Sequence, residues 1–108
     1  MSGTTVVRGN AFKSNLYQLT LSPVLVAPNT TTEQTFTVNG LSINDWVDVE
    51  SIGAQQAGLS VGNTRVSATN TLAVSFTNAT SASITPTATA SYLLLHMISE
   101  YQPLQTVP

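Results

Sequence analysis

The sequence predicts an all-β fold, a single-domain antiparallel β-sandwich, on three observations. Hydroxyl and β-branched residues dominate it, apolar and polar residues alternate over short stretches, and turn signals separate those stretches. Of 108 residues, seventeen are Thr, twelve Ser, eight Asn and eleven Val, a mixture that suits pleated strands and turns better than helix. The length fits one core and excludes a second one. Cysteine is absent, so the fold has no disulfide framework and no thiolate metal site.

Residues 1–14 form an expected N-terminal arm. It mixes small polar residues with Val6, Val7 and Phe12 and carries Arg8 and Lys13, two of the three basic residues. Such a segment is either a frayed end or an arm that docks on a neighbouring subunit. Residues 11–16 could also make one helical turn. The expected sandwich domain spans residues 15–99, beginning with a strand that places Tyr17, Leu19 and Leu21 on one face and Gln18 and Thr20 on the other. Pro23 interrupts it, and a short run at 24–27 follows.

After a loop at 28–32, residues 33–39 alternate as a half-buried strand with Gln34, Phe36 and Val38 on one side. Asn39-Gly40 turns the chain, Leu41 and Ile43 are expected to pin the loop to the core, and Asn44-Asp45 begins another turn. Residues 46–52 then alternate, Val47 and Val49 opposing Trp46, Asp48 and Glu50. Leu59 and Val61 precede a turn signal at Gly62-Asn63, and strands at 64–68 and 71–77 flank a tight hairpin at Thr69-Asn70. Leu72, Val74 and Phe76 share a face. Residues 78–90 are poor in bulky side chains and contain Pro86, which predicts a loop with a short edge strand near 83–85. Residues 91–99 carry bulk on both faces, Tyr92, Leu94, His96 and Ile98 opposing Leu93, Leu95 and Met97. Such a strand is either central and covered on both sides or lies at a subunit contact. Pro103 and Pro108 make residues 100–108 an extended tail. The count is seven to eight short strands, as in a jelly-roll or immunoglobulin-like sandwich.

The chemistry is sparse. Only 7% of residues are charged, and the formal net charge of −2 supplies no field for a nucleic acid backbone. Apolar runs such as 92–95 are too short to span a bilayer, and the start of the chain lacks a signal-peptide stretch, so no membrane association is expected. Catalysis is not expected either: no Gly-x-Ser-x-Gly elbow is present, and the single histidine, His96, sits in the most apolar strand, where a packed or interfacial imidazole is the ordinary reading. Asp48 and Glu50 lie two apart on one strand face with Asp45 in the preceding turn. Together they could hold Ca²⁺, but no calcium-loop signature accompanies them, and a solvated acidic face is the simpler reading. No metal and no cofactor is expected. Asn29-Thr30-Thr31 and Asn78-Ala79-Thr80 match the glycosylation sequon, a match that an Asn- and Thr-rich chain produces by chance. Trp46 is either a core or corner aromatic or a platform for a sugar or partner.

Eight formal charges must serve the whole exterior, and few of the usual Lys, Glu or Pro guards are visible at strand edges. A surface of this kind is expected to be covered in the working state, by copies of the chain or by a large partner. The segments TEQTFTVNGLSINDWVDV (32–49), GLSV (58–61), NTLAVSFTN (70–78) and YLLL (92–95) resemble small β-sandwich structural proteins of tailed bacteriophages, over roughly residues 30–98. The marks are a Gly-Leu turn followed by Asp-Trp-Val and an alternating strand ending in Phe-x-Asn. The resemblance implies a virion component made in the host cytoplasm, a capsid decoration (cement) protein that binds the major capsid protein and copies of itself, often as a homotrimer. Neck, tail and fibre proteins share such sandwiches. The expected partner-binding residues are Val6, Val7, Arg8 and Phe12 of the arm and Tyr101 and Leu104 of the tail. A carbohydrate-binding module using Trp46, with Asp48 nearby, is the alternative.

Overall fold

The computed structural model describes residues 11–99. Six strands carry the fold: β1 (Ala11–Leu21), β2 (Thr30–Thr37), β3 (Trp46–Ser51), β4 (Leu59–Ala68), β5 (Thr71–Asn78) and β6 (Ala90–Ser99). They form two antiparallel three-stranded sheets, ordered β1-β6-β3 and β2-β5-β4, and no helix occurs among the described residues. The alternation seen in the sequence is the reason these segments are strands: each turns every second side chain toward the interior and the rest outward.

Among the described residues the count is six strands, not the expected seven or eight, and the physical causes are local. The runs near 24–27 and 83–85 meet each other in a single bridge, Val26 with Ile84, closed by backbone bonds of 2.7 and 3.1 Å. Pro23, Pro28 and Pro86 flank these runs, and a proline can neither donate to nor extend a ladder. Gly62-Asn63 is not a turn but lies in a register shift between Val61 and Thr64, so the strand expected at 64–68 extends back through a bulge to Leu59 as β4. The helical turn considered for residues 11–16 is instead strand, because β6 offers a ladder running from the Ala11–Ser99 pair to the Leu21–Ala90 pair. β1 thus starts at Ala11, ahead of the arm boundary expected at residue 14.

Both sheets contribute to one hydrophobic cluster. Leu72, Val74 and Phe76 of β5 and Tyr92 and Leu94 of β6 are buried, and Val47 and Val49 of β3 join them. The rings of Phe76 and Tyr92 meet edge to face, centroids 6.4 Å apart at 83°, the arrangement favoured by the ring quadrupoles. Each such burial contributes about 1.5–3 kcal/mol of transfer free energy.

Two asparagines tie loops to this core. Asn70 takes φ 60° in the β4–β5 hairpin, a left-handed conformation that Asn tolerates better than most residues. Its Oδ1 accepts the Gly40 N–H at 2.8 Å, its own N–H donates to the Leu41 carbonyl at 2.8 Å, and its carbonyl accepts the Val38 N–H at 3.0 Å. Leu41 is thereby seated in the core. Ile43, expected beside it, is exposed, because the tight Ser42–Asp45 turn carries it outward. Asn78 is fully buried and fully partnered: Nδ2 donates to the carbonyls of Val26 and Ala82, and Oδ1 accepts from the Thr80 N–H and hydroxyl.

Candidate functional site

The inner and outer faces of the β1-β6-β3 sheet hold the two arrangements with functional content. Pairing sets Asn15, His96 and Val47 in one row on the inner face. His96 is 4% exposed, and its Nε2 lies 2.7 Å from Oδ2 of Asp45, whose side chain is equally buried. The same carboxylate oxygen accepts the Ser42 N–H at 3.0 Å, while the Asp45 N–H donates back to the Ser42 carbonyl. A buried imidazole is thus matched by a carboxylate that also closes the 42–45 turn. Beside them, Nδ2 of Asn15 is buried without a hydrogen-bond partner.

An acid–base dyad needs a reacting group within reach and an approach for substrate. His96 and Asp45 have no open approach, and no hydroxyl nucleophile bonds His96 among the described residues. Their evident work is to hold the loop before β3 against β6. The pairing was within reach of the sequence: His96 has the parity of Tyr92 and Leu94, so a polar inward-facing group required a partner, and Asp45 stood in the adjoining turn.

This placement also separates the three carboxylates. Asp45 turns inward, whereas Asp48 and Glu50 sit on the outer face of β3, and among the described residues no three His, Cys, Asp or Glu side chains group as metal ligands would.

The outer face of the same sheet is apolar along its middle. Its rows read Ser14, Met97, Trp46; then Leu16, Leu95, Asp48; then Gln18, Leu93, Glu50. Leu16 is 66% exposed, Trp46 49% and Leu93 37%. Trp46 is therefore neither a core nor a buried corner aromatic; it lies open at the start of β3. The cause is parity: Val47 and Val49 take the inward positions, so Trp46 must face out.

The β2-β5-β4 sheet has the opposite exterior. Thr31, Glu33, Thr35, Ser75, Thr77 and Arg65 cover it, with Thr31 and Thr77 hydroxyls 2.8 Å apart. Arg65 grips Glu33 through two bonds of 2.8 and 2.9 Å across β5. The Arg65 hydrogen bond, against a smaller opposing desolvation, holds the Glu33 carboxyl below its ordinary range, and Glu33 in turn raises Arg65.

A cavity of about 290 Å³ opens between the β3–β4 loop and the start of β6, lined by Ser51, Ile52, Gln55, Thr87, Ser91 and the edge of Tyr92. It contains no charged group. Of the residues expected to bind partners, Phe12 falls in β1, and Val6, Val7, Arg8, Tyr101 and Leu104 lie outside the described residues. Of the two sequons, Asn78 has its amide wholly engaged in the interior, while Asn29 is exposed on a turn at φ 51°. No family model, no curated protein and no solved structure matches the chain.

Proposed function

We propose that this chain is a non-catalytic assembly module, a β-sandwich that works packed against other protein subunits. The observation that carries the reading is the outer face of the β1-β6-β3 sheet. Leu16, Leu93 and Trp46 stand open there beside Leu95 and Met97, on a chain with only eight formal charges to keep it dispersed. A contiguous apolar patch on a three-stranded sheet marks a surface meant to be covered. The buried, turn-holding role of His96 and Asp45 supports the absence of catalysis.

The setting that fits is the one the sequence resemblance implies: a virion structural protein of a tailed bacteriophage, decorating the capsid by binding the major capsid protein and copies of itself. Many weak contacts repeated over a shell suit a small module. The arm and tail residues Val6, Val7, Arg8, Phe12, Tyr101 and Leu104 would add to the same contacts. The test is stoichiometry in purified particles. Copies comparable in number to the shell subunit, lost when Leu93 and Trp46 are both changed to Thr, support decoration; a chain absent from particles refutes it.

A second reading rests on Trp46. An open indole beside Asp48 on a flat sheet face is a fit platform for a sugar ring. Glycan binding that disappears in Trp46→Ala, with no association between subunits, would favour it.

A further inference from the structure

We propose that β1 pairs antiparallel with the β1 of a second copy of this chain, in the register that sets Leu16 opposite Leu16 across a two-fold axis. Four strands of the two sheets are edges, and three of them are occupied or broken. On β3, the Val47 carbonyl accepts the Thr64 hydroxyl at 3.0 Å. β4 is bulged between Val61 and Thr64. β2 carries Glu33, and its Gln34 amide binds both the N–H and the carbonyl of Val24, at 2.9 and 3.0 Å, strapping the 24–26 segment alongside.

β1 is irregular only at its start, between Ala11 and Lys13, and from Lys13 to Leu21 its ladder with β6 is unbroken. It runs for 11 residues with no proline, and its one charge, Lys13, lies near one end. Among the described residues β6 is its sole pairing neighbour. Leu16 and Tyr17, at its middle, are 66% and 46% exposed. A long apolar edge of this kind presents unpaired N–H and C=O groups to any matching strand.

The strand best matched to β1 is β1 itself. Opposed residues in an antiparallel pair share a face, so their numbers must sum to an even value for two copies joined in one sheet. With a sum of 32, Leu16 meets Leu16 and Ser14 meets Gln18 on the outer face, while Asn15 meets Tyr17 on the inner face. On the outer face apolar meets apolar and polar meets polar; on the inner face the Asn15 amide lies beside the Tyr17 ring, and Lys13 meets Leu19. A slip of two residues either way puts Leu16 against Ser14 or Gln18. Residues 14–21 carry no charge, so the copies meet without repulsion. The acids of the outer face, Asp48 and Glu50, sit on β3, the edge farthest from the axis. The product is one six-stranded sheet with the two leucine faces side by side. The pairing goes beyond the assembly reading by naming the joining element, and it does not require the virion setting.

The absence of cysteine makes the test clean. The full chain is expected to show twice its 11.4 kDa mass by light scattering, and Leu16→Cys to form a disulfide-linked dimer under mild oxidation, since opposed residues bring their Cβ atoms near disulfide range. Leu93→Cys, on the same face but on the central strand, should remain unlinked. Leu16→Lys should return the mass of one chain with unchanged circular dichroism, because two lysines would then oppose each other on an edge. A single-chain mass for the unaltered protein, a three-chain mass, or linkage in the Leu93→Cys variant but not in Leu16→Cys overturns the pairing. If it is overturned while particle binding still depends on Leu93 and Trp46, the edge inference alone has failed.

Discussion

β5 and β6 occupy the same place in the two sheets, each the middle of three antiparallel strands, yet they are built differently. β5 alternates strictly: Leu72, Val74, Phe76 and Asn78 point inward, while Thr71, Ala73, Ser75 and Thr77 point outward, the small Ala73 alone of these being covered by its neighbours. β6 puts Tyr92, Leu94 and His96 inside and Leu93, Leu95 and Met97 outside. An antiparallel sheet with one wet face needs only the first pattern. The second turns bulky apolar side chains to both faces, and each strand also carries one buried polar side chain, His96 with its Asp45 partner on β6 and Asn78 on β5. One sheet therefore turns a hydroxyl-lined face outward and the other a partly apolar one.

Mutations should separate these two roles, and the largest effect belongs to β5. Phe76→Ala empties an interior site shared with Tyr92 and should cost about 3–5 kcal/mol in urea unfolding, without altering association of the fraction that remains folded. Asp45→Ala, read by the same unfolding measurement, should cost about 3 kcal/mol, because it leaves His96 and the Ser42 N–H buried and unpaired. Asp45→Asn, which keeps an acceptor, should lose less. Gly58→Ala should destabilise by more than about 1 kcal/mol, since Gly58 has φ +83° and a Cβ there would strike the Thr80 side chain.

On the exterior the contrast inverts. Leu93→Thr should change unfolding by no more than about 1 kcal/mol yet weaken self-association or particle binding, whereas Thr35→Lys on the hydroxyl face should alter neither by a measurable amount. Sedimentation of the two variants side by side checks this; equal behaviour would erase the distinction between the sheets. The smallest effect concerns the Glu33–Arg65 pair. The folded carboxyl titrates below the unfolded one, so its contribution is present above the ordinary carboxylate pKa and fades as pH falls through the lowered value. Because the pair is solvent-exposed, Glu33→Gln should only slightly flatten the acid limb of a stability–pH curve.

Much of this was legible in the sequence. The strict alternation of 71–77 located β5 and its inward face, and the two-sided bulk of 91–99 identified β6 as a central strand or a contact. What escaped were features with no period to read. The runs at 24–27 and 83–85 look like strands residue by residue, but each finds only the other, for a single bridge. Gly62-Asn63 carries the composition of a turn and serves as a bulge, since β5 continues unbroken beside it. Trp46, open in the sequence between core and surface, lies on the outer face because Val47 and Val49 take the inward positions.

Residue type and alternation, acting over a few positions at a time, pointed to an all-β chain, to which side chains share a face along each segment, and to a surface short of charge. Tertiary contact alone chose the strand order, joined Asp45 to His96 across 51 residues, and put β1 at an edge among the described residues. Those outcomes depend on which strands lie adjacent, and adjacency between distant segments is set by the packing of the whole core, which no local pattern encodes.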